Sequence, residues 1–201
     1  MKFKILFFVL FTTITAQLFS WGGLGHEVIT RLAIEGLPNE MTFIKENIQY
    51  LCDHSTDPDK RKSEDPAERN KHYIDVDYYE EFNVGKMITD KAELIELYGD
   101  EIVDKMGILP WNTIEVLNNL TIAMKENNKE EILFYAADLA HYVADAHQPQ
   151  HNILNYNGKL TDQRGIHQRY EIDLIDSNLV ELQANIAPIK FIHVIEPLQF
   201  V

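Results

Sequence analysis

The chain has 201 residues, 45% of them hydrophobic and 25% charged, with a formal net charge of −14. That length supports one domain with a sizeable core, and the composition excludes a disordered or fibrous chain. An excess of 32 acidic over 18 basic side chains excludes a general basic face for duplex nucleic acid. The single cysteine, Cys52, excludes an internal disulfide and reads as a small buried apolar residue.

At the start, Lys2 and Lys4 precede an apolar run from Ile5 to Phe11, followed by Thr12, Thr13, Thr15, Ala16 and Ser20. This is the charged, apolar and small-residue order of a secretory signal peptide over residues 1–20. The apolar run is too short for a stable anchor. The expected product is a domain over 21–201, secreted or periplasmic, with no stable membrane insertion and no protein partner evident. Leu18 stands three before the cut, where a small residue is the ideal. Loss of Lys2 and Lys4 moves the formal charge from −14 to −16. Bound divalent cations would cancel part of that acidity locally.

The rest reads as helices. Val28, Ile29, Leu32 and Ala33 recur at helical spacing until Gly36 and Pro38 end the run. Met41, Ile44, Ile48 and Leu51 form a second stripe, capped near Asn39. A polar, charged loop then runs from His54 through Glu68, and Tyr73 to Tyr79 fits an extended segment. Thr89 or Asp90 caps a helix to Met106, with Leu94, Leu97, Tyr98, Ile102 and Met106 inward and Gly107 as its stop. Pro110 opens the next, with Ile114, Leu117, Leu120 and Met124 on one side. Asn128 leads into another through Ile132, Ala136, Leu139 and Val143. A polar loop, Asn152–Gly165, turns at Asn157-Gly158. The last helix runs from Ile166 to about Leu182, and Ile189–Val201 is an apolar tail without a clear period.

The chemistry sits on two of these helices. His141 and Asp145 are four apart, so they share one helical face, and His167 and Glu171 repeat the spacing. Neutral imidazole with carboxylate is a zinc-type donor set. Pro149 ends the first helix, so the chain bends and His151 can face a different ion. His26 stands at a helix start, five residues after Trp21, and His72 adds an imidazole near an acidic cluster. A free amino group at Trp21, with its carbonyl oxygen, can chelate a metal.

The ordered series Trp21, His26, Asp57, His72, His141, Asp145, His151, His167, Glu171 resembles the superfamily of zinc-dependent phospholipases C and type I single-strand nucleases. The segment His141-Tyr-Val-Ala-Asp145-Ala-His-Gln-Pro-Gln-His151 carries the most specific part of the likeness. The resemblance implies an all-α, single-domain helical bundle around three zinc ions. One ion would take Asp57, His72, His141 and Asp145. The second would take the amino nitrogen and carbonyl oxygen of Trp21, His26, and Asp145 as a bridge. The third would take His151, His167 and Glu171. Asp57 is preferred to Asp59 because the nuclease pattern places its acid fifteen residues before the histidine matched by His72, with Asp59 open as the alternative.

Zinc-activated water attacking phosphorus in line would make the protein a phosphodiester hydrolase, with Asp145 and Asp57 as its catalytic acids. Asp138 and Asp75 are candidates to orient ligand histidines. Lys60, Arg61, Asp75 and Tyr156 are candidates for the substrate side, and Tyr156 and Tyr170 are placed to stack a base or pack a lipid. The spacing from Trp21 to His26 follows the nucleases. The short interval from His151 to His167 and the final Glu171 follow the phospholipases. The sequence reading leans to single-stranded nucleic acid, with phospholipid head groups, or a zinc-bound protein without turnover, as alternatives.

Overall fold

The computed structural model describes residues 22–187 and 192–201. The expected signal peptide, the Trp21 chelate and the tail start at Ile189 lie outside these residues. Among them there is no strand, and the chain is all-α.

The helices follow in order as α1 (Gly23–Glu35), α2 (Thr42–Glu46), α3 (Ile48–Asp53), α4 (Asp57–Arg61), α5 (Glu80–Asn83), α6 (Lys91–Tyr98) and α7 (Asp100–Lys105). Two long helices come next, α8 (Leu109–Glu126) and α9 (Lys129–Ala146). After α10 (Ile166–Gln168), a π-helical segment, Arg169–Leu174, runs into α11 (Ile175–Asn185), and α12 (Pro197–Phe200) closes the chain.

The frame is the α8–α9 hairpin. Asn127 takes the left-handed conformation at φ 54°, which Asn tolerates better than most residues. Asn128 then caps α9, its side chain accepting from Glu131 N. Helices α1 and α3 lie against α9. Ile34, Ile44, Leu51, Ala123, Ile132 and Ala137 form the buried cluster that joins them. A second cluster, Tyr79, Leu94, Val103 and Met106, packs with Trp111. A third, Leu109, Val116, Tyr142 and Ala146, fills the hairpin and takes in Val201 of the tail.

Two expected helices are broken in the structure. The Asp90–Met106 stripe splits at Gly99, whose φ of 86° a side chain would resist. The break shifts the inward phase, so Val103 is buried and Leu97 is exposed. The Met41–Leu51 stripe splits at Asn47, and its start is not capped by Asn39; Thr42 Oγ1 instead donates to Asn39 O (2.9 Å). The loop after His54 contains α4 and a 3-10 segment, Pro66–His72. Tyr73 is extended as expected, but Val76–Tyr78 is a 3-10 turn. At Gly107 (φ 92°) an added Cβ would fall 2.1 Å from Tyr73 O. That close approach pins the segment that carries His72.

Helix α9 also departs from its stripe. Ala136, Leu139 and Val143 are only half-buried, whereas Asp138, His141, Tyr142 and Asp145 are buried. A bundle normally turns its apolar face inward. Here the polar face is the deeper one, because the interior holds a cluster of buried histidines and acids.

Candidate metal centre

Each donor is delivered by a different local device. His26 lies buried in the first turn of α1, where Gly22 lets the main chain approach Glu171 and Ile172 closely. Gly22 N–H donates to Glu171 O (3.2 Å), and a Cβ on Gly22 would stand 3.1 Å from Ile172 Cγ1. Helix α9 presents His141 and Asp145 one turn apart. The chain then bends at Pro149 into a 3-10 turn that buries His151. His167 and Glu171 straddle the junction of α10 with the π-helical segment, a distortion often found at functional sites.

Three groups of donor atoms converge, each within 4.8 Å: His26, His141 and Asp145; Asp59, His72 and His141; and His151, His167 and Glu171. Asp145 joins the first two. Its Oδ1 lies 3.5 Å from His26 Nε2, while Oδ2 lies 3.2 Å from His141 Nε2 and 2.9 Å from His72 Nδ1. In the third group His151 Nε2 is 3.0 Å from Glu171 Oε1, and His167 Nε2 is 2.6 Å from Oε2. Gln148, fully buried, donates Nε2 to Glu171 Oε1 and fixes that carboxylate.

The acid on the α3–α4 side is Asp59, not Asp57. Asp59 Oδ1 lies 3.6 Å from His72 Nδ1 and 3.7 Å from His141 Nε2. Asp57 is turned outward onto His54 Nδ1 (2.5 Å) and Lys60 Nζ (2.6 Å). Residues two apart on a helix differ by about 200°, so only one of the pair faces the histidines. That choice depended on α4, which a loop reading did not contain.

The electrostatics fit a cation. Burial, His141 and the other histidines hold the His26 imidazole well below its ordinary value, and so neutral. Burial pushes the Asp145 carboxyl up, but the charges of His141 and His151 and hydrogen bonds from His141 and His72 outweigh it and hold it well below the carboxylate range. Burial opposes protonation of His141 and His151, yet Asp145 with Asp59 raises the first, and Asp145 with Glu171 raises the second. Buried carboxylates gathered among imidazoles require a positive charge.

A family model described as zinc dependent phospholipase C matches residues 25–196. The chain belongs to that family. No match is found among curated proteins or among solved structures. The donors fit the ion that the family name requires. Nitrogen and oxygen ligands of one zinc stand roughly 3–4 Å apart, and the donor atoms in each of the three groups lie within 4.8 Å of one another. As a member of the zinc-dependent phospholipase C family the protein is, at the general level, a zinc-dependent phosphoric ester hydrolase.

The other sequence candidates are placed differently from expectation. Asp138 does not orient a histidine; it holds Arg61 in a two-point pair (Nη1–Oδ1 3.2 Å, Nη2–Oδ2 2.7 Å). Arg61 also meets Glu68 Oε1 (3.5 Å), donates to Tyr142 OH (3.4 Å), and stacks over Phe134. It is therefore committed to the interior and not offered to a phosphate. Lys60 is exposed on Asp57. Asp75 makes no side-chain hydrogen bond to any of the clustered histidines; burial and Asp77 push its carboxyl up to about 6. Tyr156 does reach the centre, as an exposed ring edge-on to His167 at 5.8 Å. Glu68 and Gln148 carry roles that sequence reading missed. Gln148 lay in the Gln-Pro motif, but Glu68 gave no signal inside a charged run.

Arg61→Ala leaves Asp138 buried without its cation and Glu68 with Lys71 alone. Urea melts of the zinc-stripped protein are expected to show a loss of about 3 kcal/mol, with KM for a phosphate ester unchanged. A raised KM with unaltered stability would return Arg61 to the substrate side.

Proposed function

We propose that the protein is a zinc phosphodiesterase with three ions per chain that releases the head group of phospholipids. The convergence of three donor groups about Asp145 and Glu171 carries this reading. When bound, zinc supplies a water ionised near neutral pH and a Lewis acid for phosphoryl oxygens. Asp145 holds two of the groups at fixed separation through its two oxygens. Asp59 with His72 and His141 completes one group, and His151, His167 and Glu171 form the third. Zinc ligation by Trp21, through a free amino end left by removal of residues 1–20 on secretion, is part of the proposal.

The lipid assignment draws on three supports. The matching family is one of phospholipases C. A net charge of −14 disfavours a polyanion. The three cations near the α4 side, Lys60, Arg61 and Lys62, are each tied into an ion pair, with Asp57, Asp138 and Asp59 respectively, so no basic track follows a nucleic-acid strand there. Beside the third group the exposed Tyr156 ring lies against His167 and offers apolar surface there. Cleavage of single-stranded nucleic acid is the second reading, favoured by the exposed Tyr156 ring next to His167, a stacking surface for a base.

The test compares zinc-loaded protein starting at Trp21 on phosphatidylcholine vesicles, single-stranded DNA and RNA. Release of the phosphorylated head group from the vesicles is expected, with three zincs per chain by metal analysis. Turnover of the nucleic acids alone would establish the second reading. Zinc without hydrolysis of any of the three would leave a binding protein of this fold. An intact mass that starts elsewhere than Trp21 would remove the amino-terminal ligand.

A further inference from the structure

Two of the clustered imidazoles are oriented by main-chain carbonyls. His141 Nδ1 donates to Ser55 O (2.8 Å) and His151 Nδ1 donates to His72 O (2.6 Å), so each presents Nε2 to its group. His72 is turned the other way. Its Nδ1 faces Asp145 Oδ2 (2.9 Å), His141 Nε2 (3.0 Å) and Asp59 Oδ1 (3.6 Å). Its Nε2 is buried without a main-chain acceptor. The group facing it is Glu68 Oε1, at 3.5 Å.

Glu68 is 2% exposed and held from several sides. Oε1 accepts from Tyr142 OH and lies 3.5 Å from Arg61 Nη2, which is itself fixed by Asp138. Oε2 accepts from Lys71 Nζ (2.9 Å). A neutral imidazole has one proton, and the nitrogen with the better acceptor keeps it, leaving the other for a metal.

We propose that Glu68 is a positioning residue for zinc, taking the Nε2–H of His72 and thereby committing Nδ1 to the ion. This rests on the proposed ligation by His72. Tyr142, Arg61 and Lys71 keep the carboxylate where His72 needs it. The role explains why a carboxylate with two cations beside it is buried next to a ligand and not left at the surface.

The test uses two substitutions of similar length. Glu68→Gln keeps a carbonyl acceptor, and Glu68→Met removes it. Chelator competition on the full-length mature protein is expected to show zinc bound about 10–100-fold more weakly by the Met variant, with the Gln variant close to wild type. Melting of the chelated proteins separates packing from ligation, since a purely structural Glu68 would lower both melts without this affinity pattern. Long-range proton–nitrogen spectra of zinc-loaded wild type should show His72 protonated at Nε2, a readout that survives if the Met variant fails to fold. Equal zinc affinity in the Met variant, equal losses in both variants, or a His72 protonated at Nδ1 would overturn the assignment. Wild type that binds no zinc would instead sink the ligand reading itself.

Discussion

Asp145→Asn lowers phosphate-ester hydrolysis by more than about 100-fold and removes at least one zinc per chain. Loss of a partner outside the ligand set typically costs about 10–100-fold in metal affinity or activity, and Asp145 is proposed as a direct ligand to two ions. Its oxygens face different imidazoles, Oδ1 toward His26 (3.5 Å) and Oδ2 toward His72 (2.9 Å) and His141 (3.2 Å). An asparagine amide has one acceptor oxygen and no charge, so one of the two sides loses its ligand. It also withdraws the negative charge that raises His141 and His151. Metal analysis beside steady-state rates, with circular dichroism as a check on folding, measures the effect. Full zinc content and full activity in the variant would remove Asp145 from the role of bridge.

Chelation of the loaded protein produces the second large effect, a fall in Tm. A ligand at 1,000 times its Kd stabilises by about 4 kcal/mol. In a domain of this size each kcal/mol moves Tm by about 2–4 °C. Stripping a single site therefore lowers Tm by about 8–16 °C.

The shift depends on pH in a defined direction. In stripped protein the folded-state values of His141 and His151 are raised. Their contribution to stability is complete below the unfolded imidazole value of about 6.5. It is lost as pH rises through the folded values. His26 is lowered, so its contribution runs the other way, present above the unfolded value and lost on acidification. Zinc requires all three neutral, so binding displaces the protons favoured on His141 and His151, while His26 is already neutral. The gap between loaded and stripped Tm is thus expected to widen from about pH 5 to about pH 8, the range in which imidazole changes charge. Differential scanning calorimetry across that range checks it. A gap independent of pH would mean that imidazoles do not hold the ion.

Much of the fold was legible because helical periodicity is local. The α8–α9 hairpin, the Asp90 cap and the Gly107 stop follow from apolar spacing, side-chain acceptors and glycine. What failed were places where one residue changes phase. Gly99 and Asn47 interrupt stripes that read as continuous, because a periodic pattern does not reveal a positive φ or a short kink within it. The π-helical turn around Glu171 is equally silent, since it alters hydrogen-bond register without altering composition.

The sequence by itself determined the candidate donor types and most of their positions. The spacings His141/Asp145 and His167/Glu171 place each pair on one helical face whatever the rest of the chain does, and Pro149 separates His151 from the first pair. Only tertiary structure decided between Asp57 and Asp59, because the answer depends on which side of α4 meets His72 and His141. It alone bound Arg61 to Asp138, seventy-seven residues away, and set Glu68 behind His72. Contacts at such separation are fixed by how α4, the Pro66–His72 turn and α9 pack. No local spacing encodes that packing.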